Sequence, residues 1–256
     1  MIPDQDRAAP AIERSALAQD VIQWDIRTWS RVLPFWERSL PSGGRVLAIG
    51  EREGGSSLWF ALKGLRVTCT DLRPFPDTTR AMHARYGLSH RIDYARQDVT
   101  DIQEPDASYD AVVFKSVIGA LSLREKQARA IAEMHRVLRP GGRLFFAENL
   151  TGTCLHRYLR KRFVAWDAYW RYLEIPADLE LFSLFDRLHW RTTGLLANIG
   201  RNEWQRGFLA RLDVPLCALT PNSWHYVLYG TAVKGTARNG APTNSFAGNQ
   251  TDRGNS

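Results

Sequence analysis

The sequence predicts an α/β fold, a mostly parallel sheet with helices on both faces, and three observations carry that prediction. Short apolar runs alternate with segments of helical period over most of the chain. Glycines fall where those helical segments should stop. The stretch VLAIGEREGGSS, residues 46–57, reads as a buried strand that runs through a glycine turn into a helix. Parallel strands need crossover connections, so this alternation puts helices over the sheet.

In chain order, strands are expected at 45–49, 66–70, 92–96, 111–114, 143–147 and 224–233. Between the first pair lies a helix over 55–63, stopped by Gly64, and between the second pair one near 78–86, stopped by Gly87. A further helix is expected to begin at SLRE, where Ser122 and Glu125 have the spacing of a capping box. Its apolar face uses Ala128, Ile131, Met134 and Leu138, and it ends at Pro140, where 139–142 suits a turn with proline then glycine at its centre. From 155 to 173, Leu155, Leu159, Phe163, Trp166, Trp170 and Leu173 recur near helical spacing, which predicts one long helix packed on the sheet by its aromatic stripe.

The 256 residues are enough for one good-sized core, and a hydrophobic share of 44% suits a globular protein. Residues 1–12 are expected to be flexible, 13–42 to form an N-terminal helical cap and 43–234 the main domain. Residues 235–256, rich in Gly, Asn, Ser and Thr with one aromatic, are expected to be a disordered tail. The three cysteines are too far apart for a metal cluster and odd in number, which fits a reducing cytoplasm. No apolar run approaches the roughly 20 residues of a membrane span. A formal charge of +7 admits nucleic acid, phosphorylated ligands or an anionic membrane face, and by itself does not choose among them.

Ligands of such sheets bind beyond the carboxyl ends of the strands, so the residues there are the candidates. Gly50, Glu51, Arg52, Glu53 and Gly54 follow the first strand, Asp71 and Leu72 the second, Asp98 and Val99 the third, Lys115 and Ser116 the fourth, Glu148 and Asn149 the fifth. A carboxylate at Asp71, about 21 residues beyond Gly50, suits the hydroxyls of an adenosine ribose. Asp98 and Val99 suit an adenine amino group and its ring. Each residue has an ordinary alternative as a cap or turn. A dinucleotide fold is the nearest rival, but it wants glycine where Arg52 stands, and Glu53 would repel a pyrophosphate.

Taken together, RVLAIGEREGG, VTCTDL, ARQDVTD, SYDAVVFKSV and RVLRPGGRLFFAEN resemble the class I S-adenosylmethionine-dependent methyltransferases over roughly residues 43–234. The resemblance implies a three-layer, Rossmann-like, seven-stranded sheet with one antiparallel strand near its C-terminal end, N-terminal helices and a helical insertion after the fifth strand. It implies S-adenosyl-L-methionine as cofactor. The sequence departs from the family at Ala48, where an acid is frequent, and at Arg52, in place of a glycine. We expect Glu51 or Glu53 to take the cofactor ammonium, and Arg52 to pair with its carboxylate or turn to solvent. A looser resemblance of the C-terminal third, FAENLTGTCLHRYLRKRFVAWDAYWRY and GRNEWQRGFL among its carriers, points to enzymes of bacterial surface-polysaccharide biosynthesis and so to a sugar acceptor.

Methyl transfer to a hydroxyl requires a proton to leave, and Glu148 and His156 are the candidate bases, with Asn149 to orient acceptor or cofactor. The ordinary alternatives are a buried hydrogen-bonded acid for Glu148 and a helix-surface residue for His156. Trp190, Arg191, Arg201, Trp204 and Arg206 combine stacking faces with phosphate-binding guanidiniums, which suits a phosphate-bearing sugar and equally RNA. Peripheral membrane contact, an RNA acceptor and a non-catalytic scaffold on the same fold stay open as alternatives. No metal-ligand spacing is present.

Overall fold

The computed structural model describes residues 14–165 and 167–236. The expected flexible segment 1–12, the expected tail from 237 onward and Trp166 lie outside the described residues. Seven strands form one sheet in the order β3-β2-β1-β4-β5-β7-β6. These are β1 (Arg45–Ile49), β2 (Arg66–Asp71), β3 (Ile92–Arg96), β4 (Tyr109–Lys115), β5 (Leu138–Asn149), β6 (Arg187–Thr193) and β7 (Val227–Val233). The first five pair in parallel, and β7 runs antiparallel to both β5 and β6.

The helices are α1 (Arg14–Ile22), α2 (Ile26–Trp29), α3 (Val32–Glu37), α4 (Gly55–Leu62), α5 (Asp77–Arg85), α6 (Arg124–Val137), α7 (Cys154–Phe163) and α8 (Glu203–Leu219). Strands covered on both faces read as continuous apolar runs, which is why β1 and β4 were legible. Alternate side chains split the core into two layers. Val46 and Ala48 join Trp36, Phe60 and Phe145 on one face; Leu47 and Ile49 join Phe114, Met134 and Phe146 on the other.

Four expectations need correction. The helix expected to end at Pro140 stops at Val137, and the expected turn over 139–142 is the start of β5. α6 is not started by a Ser122–Glu125 box: its N-cap is Leu123, without a side-chain cap, and the Ser122 hydroxyl instead donates to the Tyr169 carbonyl. The helix expected over 155–173 stops at Phe163. A helix continued to 173 would carry its end roughly 27 Å from its start, whereas Leu173 returns to β5, its N–H donating to the Asn149 carbonyl at 3.1 Å. Its inward residues are also polar, His156 and Arg160, while Leu155 and Phe163 are exposed. The last strand begins at Val227, because Trp224 belongs to a 3₁₀ turn, Asn222–Trp224.

Candidate functional site

Strand order reverses between β1 and β4, and ligands of open α/β sheets bind in the crevice outside the carboxyl ends at that point. Gly50 turns the chain there at φ +66, a conformation L side chains rarely adopt, and a Cβ would lie 2.5 Å from the Val117 side chain. The three charges that follow divide: Glu51 is buried, and Arg52 and Glu53 face solvent. Glu51 Oε2 accepts the Ser57 N–H at 2.9 Å. Gly54, the N-cap of α4, has no side chain to cap with, so Glu51 supplies the carboxylate that the positive helix end favours.

The chain also closes the start of α4 from another side. A Cβ on Gly55 would lie 2.2 Å from the Val21 carbonyl oxygen, so the end of α1 rests directly on it. A pyrophosphate bound in the dinucleotide manner needs those N–H groups and that space, and the rival reading fails on both. Two residues missed in the sequence hold the turn. Thr79 Oγ1 donates to the Arg52 carbonyl at 2.8 Å, and buried His83 bridges the Gly54 carbonyl (2.9 Å) and the Tyr94 hydroxyl. Both lie on α5, and no local pattern marks a contact about 30 residues away.

Around this turn stand the other strand-end residues. Asp71 spends Oδ1 on the Arg73 N–H at 2.8 Å, leaving Oδ2 without a partner among the described residues. Leu72 beside it is exposed. Asp98 accepts from the Thr100 N–H (2.8 Å) and hydroxyl (2.7 Å), which hold its carboxyl below the usual range, and Val99 is buried. Lys115 Nζ donates to the Ile22 carbonyl at 2.9 Å and lies 5.8 Å from the Trp29 ring centre; burial pushes it below the usual lysine value, opposed by the Glu51 charge. Ser116, at φ +57, accepts from Asn149 Nδ2 at 2.6 Å.

A cavity of about 1030 Å³ opens from Lys115, Ser116 and Asn149. The α1–α2 junction, α7, the 3₁₀ turn Ala197–Ile199 and the start of α8 supply its other walls. Trp24, Trp29, Leu159, Phe163, Tyr172 and Ile199 give it a largely apolar lining.

Of the two candidate bases, neither offers a free atom to this cavity. Glu148 is fully buried, its Oε2 taking the N–H groups of Val117 (2.8 Å), Ile118 (2.9 Å) and Gly119 (3.4 Å), its Oε1 that of Asn149 (2.8 Å). Burial raises its pKa, while those N–H groups oppose the rise. His156 is buried as well, rather than on the helix surface. Its Nδ1 accepts the Thr153 N–H at 3.0 Å and its Nε2 bonds the Leu195 carbonyl at 2.8 Å; burial lowers its pKa. Only the His156 ring itself lines the cavity, beside Asn149. Among the described residues no group of three or more His, Cys, Asp or Glu could hold a metal ion.

The sheet order and the reversed final hairpin, with acids at the ends of β2 and β3, define a Rossmann-like α/β class. Residues 47–146 match the family model described as a methyltransferase domain. The human thiol S-methyltransferase TMT1A is 28% identical over 70% of this chain and 67% of its own. The demethylmenaquinone methyltransferase of Renibacterium salmoninarum is 34% identical over 48% of each. Phosphoethanolamine N-methyltransferase 2 of Haemonchus contortus, solved with S-adenosyl-L-methionine, superposes with a TM-score of 0.59 at 19% identity, over 81% of this chain and 53% of that one. The chain thus spans about half the length of these last two relatives. It has the fold of the class I S-adenosylmethionine-dependent methyltransferases.

Proposed function

We propose that the chain transfers a methyl group from S-adenosylmethionine to a hydroxyl of a small molecule, a sugar or glycan precursor, held in the cavity beyond β4 and β5. The observation that carries this reading is the continuity of the two sites: the cavity begins at Lys115 and Ser116, the last strand-end residues of the cofactor set, and at Asn149 beside them. The residues that would hold the cofactor are Gly50, Glu51, Arg52, Glu53 and Gly54, with Asp71 and Leu72, Asp98 and Val99, and Lys115 and Ser116. Asp71 has a free carboxylate oxygen for ribose hydroxyls, and Glu51 favours the positive end of a zwitterion. When bound, S-adenosylmethionine supplies a methyl activated by its sulfonium.

This chain's own part is positioning. Holding the acceptor in line with the methyl removes much of the entropic barrier, and Asn149, tied to Ser116, orients the acceptor. Glu148 serves by fixing the 117–119 loop, and His156 by fixing the start of α7, so the acceptor proton leaves to water at the cavity mouth. A cavity walled on several sides supports a small molecule over RNA.

The test is incubation with methyl-labelled S-adenosylmethionine and separate acceptor fractions: nucleotide sugars, lipid-linked sugars, a thiol, a quinol and RNA. Thiol and quinol are included because two relatives are named for such acceptors. Label in a sugar fraction is expected. Label in RNA alone would overturn the small-molecule reading, and a folded chain that binds no S-adenosylmethionine in calorimetry would overturn the enzyme.

A further inference from the structure

Among the described residues four cations, Lys115, Arg160, Arg201 and Arg206, line the cavity, and no aspartate or glutamate does. Three of the four have hydrogen-bond partners, and for one of those three the partner is a carboxylate. Lys115 is bound to the Ile22 carbonyl, and Arg206 is paired with Glu203 at 2.7 Å while its guanidinium stacks on Trp24, 5.0 Å from the ring centre. Arg201 is exposed.

Arg160 is different, being only 8% exposed, with no carboxylate within 4.0 Å among the described residues and the Asp167 carboxylate favouring its charge only from farther away. Its Nη1 donates to the carbonyls of Leu150 (2.8 Å) and Thr151 (2.9 Å), and its guanidinium lies 4.0 Å from the Tyr172 ring centre. Those contacts fix its plane. They leave Nε and Nη2 without partners among the described residues. Burial lowers its pKa from the ordinary value, yet a guanidinium does not lose its proton in a protein.

A buried charge left unpaired is costly, and such groups are normally neutralised or bound to a ligand. A second donor in the same wall, Arg206 Nε, is buried without a partner among the described residues. The fork of an arginine matches a carboxylate or phosphate by paired hydrogen bonds. Around it the wall is aromatic and aliphatic, which suits an apolar body rather than a second charge.

We infer that Arg160 anchors an anionic group, a carboxylate or a phosphate ester, on an acceptor whose remaining surface is largely apolar. This rests on reading the cavity as the acceptor site, and it narrows the acceptor class. Arg160 selects the acceptor by charge; the apolar wall selects it by shape.

Calorimetry on the full chain saturated with S-adenosylhomocysteine tests it, with octyl phosphate, octanoate, inorganic phosphate and octanol as probes. One of the two anionic amphiphiles is expected to bind at least roughly tenfold more tightly than octanol or inorganic phosphate. Which of them is tighter tells carboxylate from phosphate. Arg160→Gln is expected to remove the preference for the anion over octanol. That variant loses bonds to two carbonyls, so Asn198→Asp provides a second arm: it adds a carboxylate to the cavity wall at constant size and is expected to weaken the anion by roughly tenfold while sparing octanol.

Octanol binding as tightly as the anions, no binding by any amphiphile, or an anion preference that survives in folded Arg160→Gln would overturn the inference. Failure of S-adenosylhomocysteine to bind at the outset would instead strike the methyltransferase reading, so the two failures are distinguishable.

Discussion

Asp25 sits between α1 and α2 at φ +46, wholly buried, with Oδ2 accepting from the Tyr226 hydroxyl and Oδ1 unpartnered among the described residues. Burial is the largest cause that pushes its carboxyl up from 3.8 to about 7, against the Tyr226 and Thr28 hydroxyls, with Glu203 raising it further and Arg206 opposing. The folded chain keeps this proton until about pH 7, whereas the unfolded chain releases it near 3.8. Stability from this group is therefore present below the unfolded value and lost as pH rises through the folded one, by on the order of 4 kcal/mol at most. His83, His135, His156 and His225, all lowered by burial, act in the opposite sense and lose stability as pH falls. Comparing wild type with Asp25→Asn isolates the aspartate. The asparagine variant is expected to gain urea midpoint relative to wild type between about pH 4 and about pH 7 and to level off above; parallel pH profiles would refute the assignment. Nothing in QWDIRTW marks this aspartate as buried, since Tyr226 lies 201 positions away. Asp71 and Asp98 could be placed at strand ends for the opposite reason: a strand is a local pattern.

At the scale of elements, the cavity wall contributed by the turn Ala197–Ile199 is built on one acid of α8. Asp213 is wholly buried and accepts the N–H groups of Leu195 (2.9 Å), Leu196 (2.8 Å) and Ala197 (3.2 Å). Three backbone donors on one carboxylate make a rigid corner, and Asn198, Ile199 and Gly200 leave it to line the cavity. Asp213→Ala would orphan all three donors, at an expected cost of roughly 2–4 kcal/mol in urea unfolding. Acceptor-type amphiphiles are expected to lose more affinity than S-adenosylhomocysteine, because the residues proposed to hold the cofactor follow β1 to β4, away from α8. Equal losses would mean that the turn does not shape the acceptor wall. The strands and α4 to α6 could be read from periodicity, but α7 could not be oriented that way. Periodicity scores apolar faces, and here the buried face holds His156 and Arg160, whose partners are the Leu195, Leu150 and Thr151 carbonyls. The SLRE box failed in a related way. Its spacing was right, but the Ser122 hydroxyl found the Tyr169 carbonyl, a partner 47 positions off.

Over the whole molecule, the two ends of the described chain close the cavity together. Glu203, at the start of α8, accepts the Asp25 N–H at 3.0 Å and the Ile26 N–H at 3.1 Å, capping α2 from 178 positions away, and it also holds Arg206. Arg31 reaches the Ala210 carbonyl at 2.7 Å and the Thr193 hydroxyl at 3.0 Å, and Trp36 Nε1 reaches the Gly230 carbonyl at 3.2 Å. The mostly parallel sheet was legible because alternating strands and helices require crossover connections. This clasp was not, because it depends on which distant segments meet once the sheet has formed. Its consequence is that the cap and the acceptor wall should open as one unit. Glu203→Ala removes a partly exposed carboxylate, so the global loss should be modest, about 1–2 kcal/mol. The local effect should be larger, since α2 has only four residues and no side-chain cap of its own. Arg27, exposed within α2, gives trypsin a reporter bond. Cleavage there is expected to accelerate in Glu203→Ala well beyond the change at other sites, and to slow again when octyl phosphate fills the cavity. An unchanged rate at Arg27, with faster cleavage elsewhere, would mean that α2 and α8 open independently and that Glu203 is no clasp.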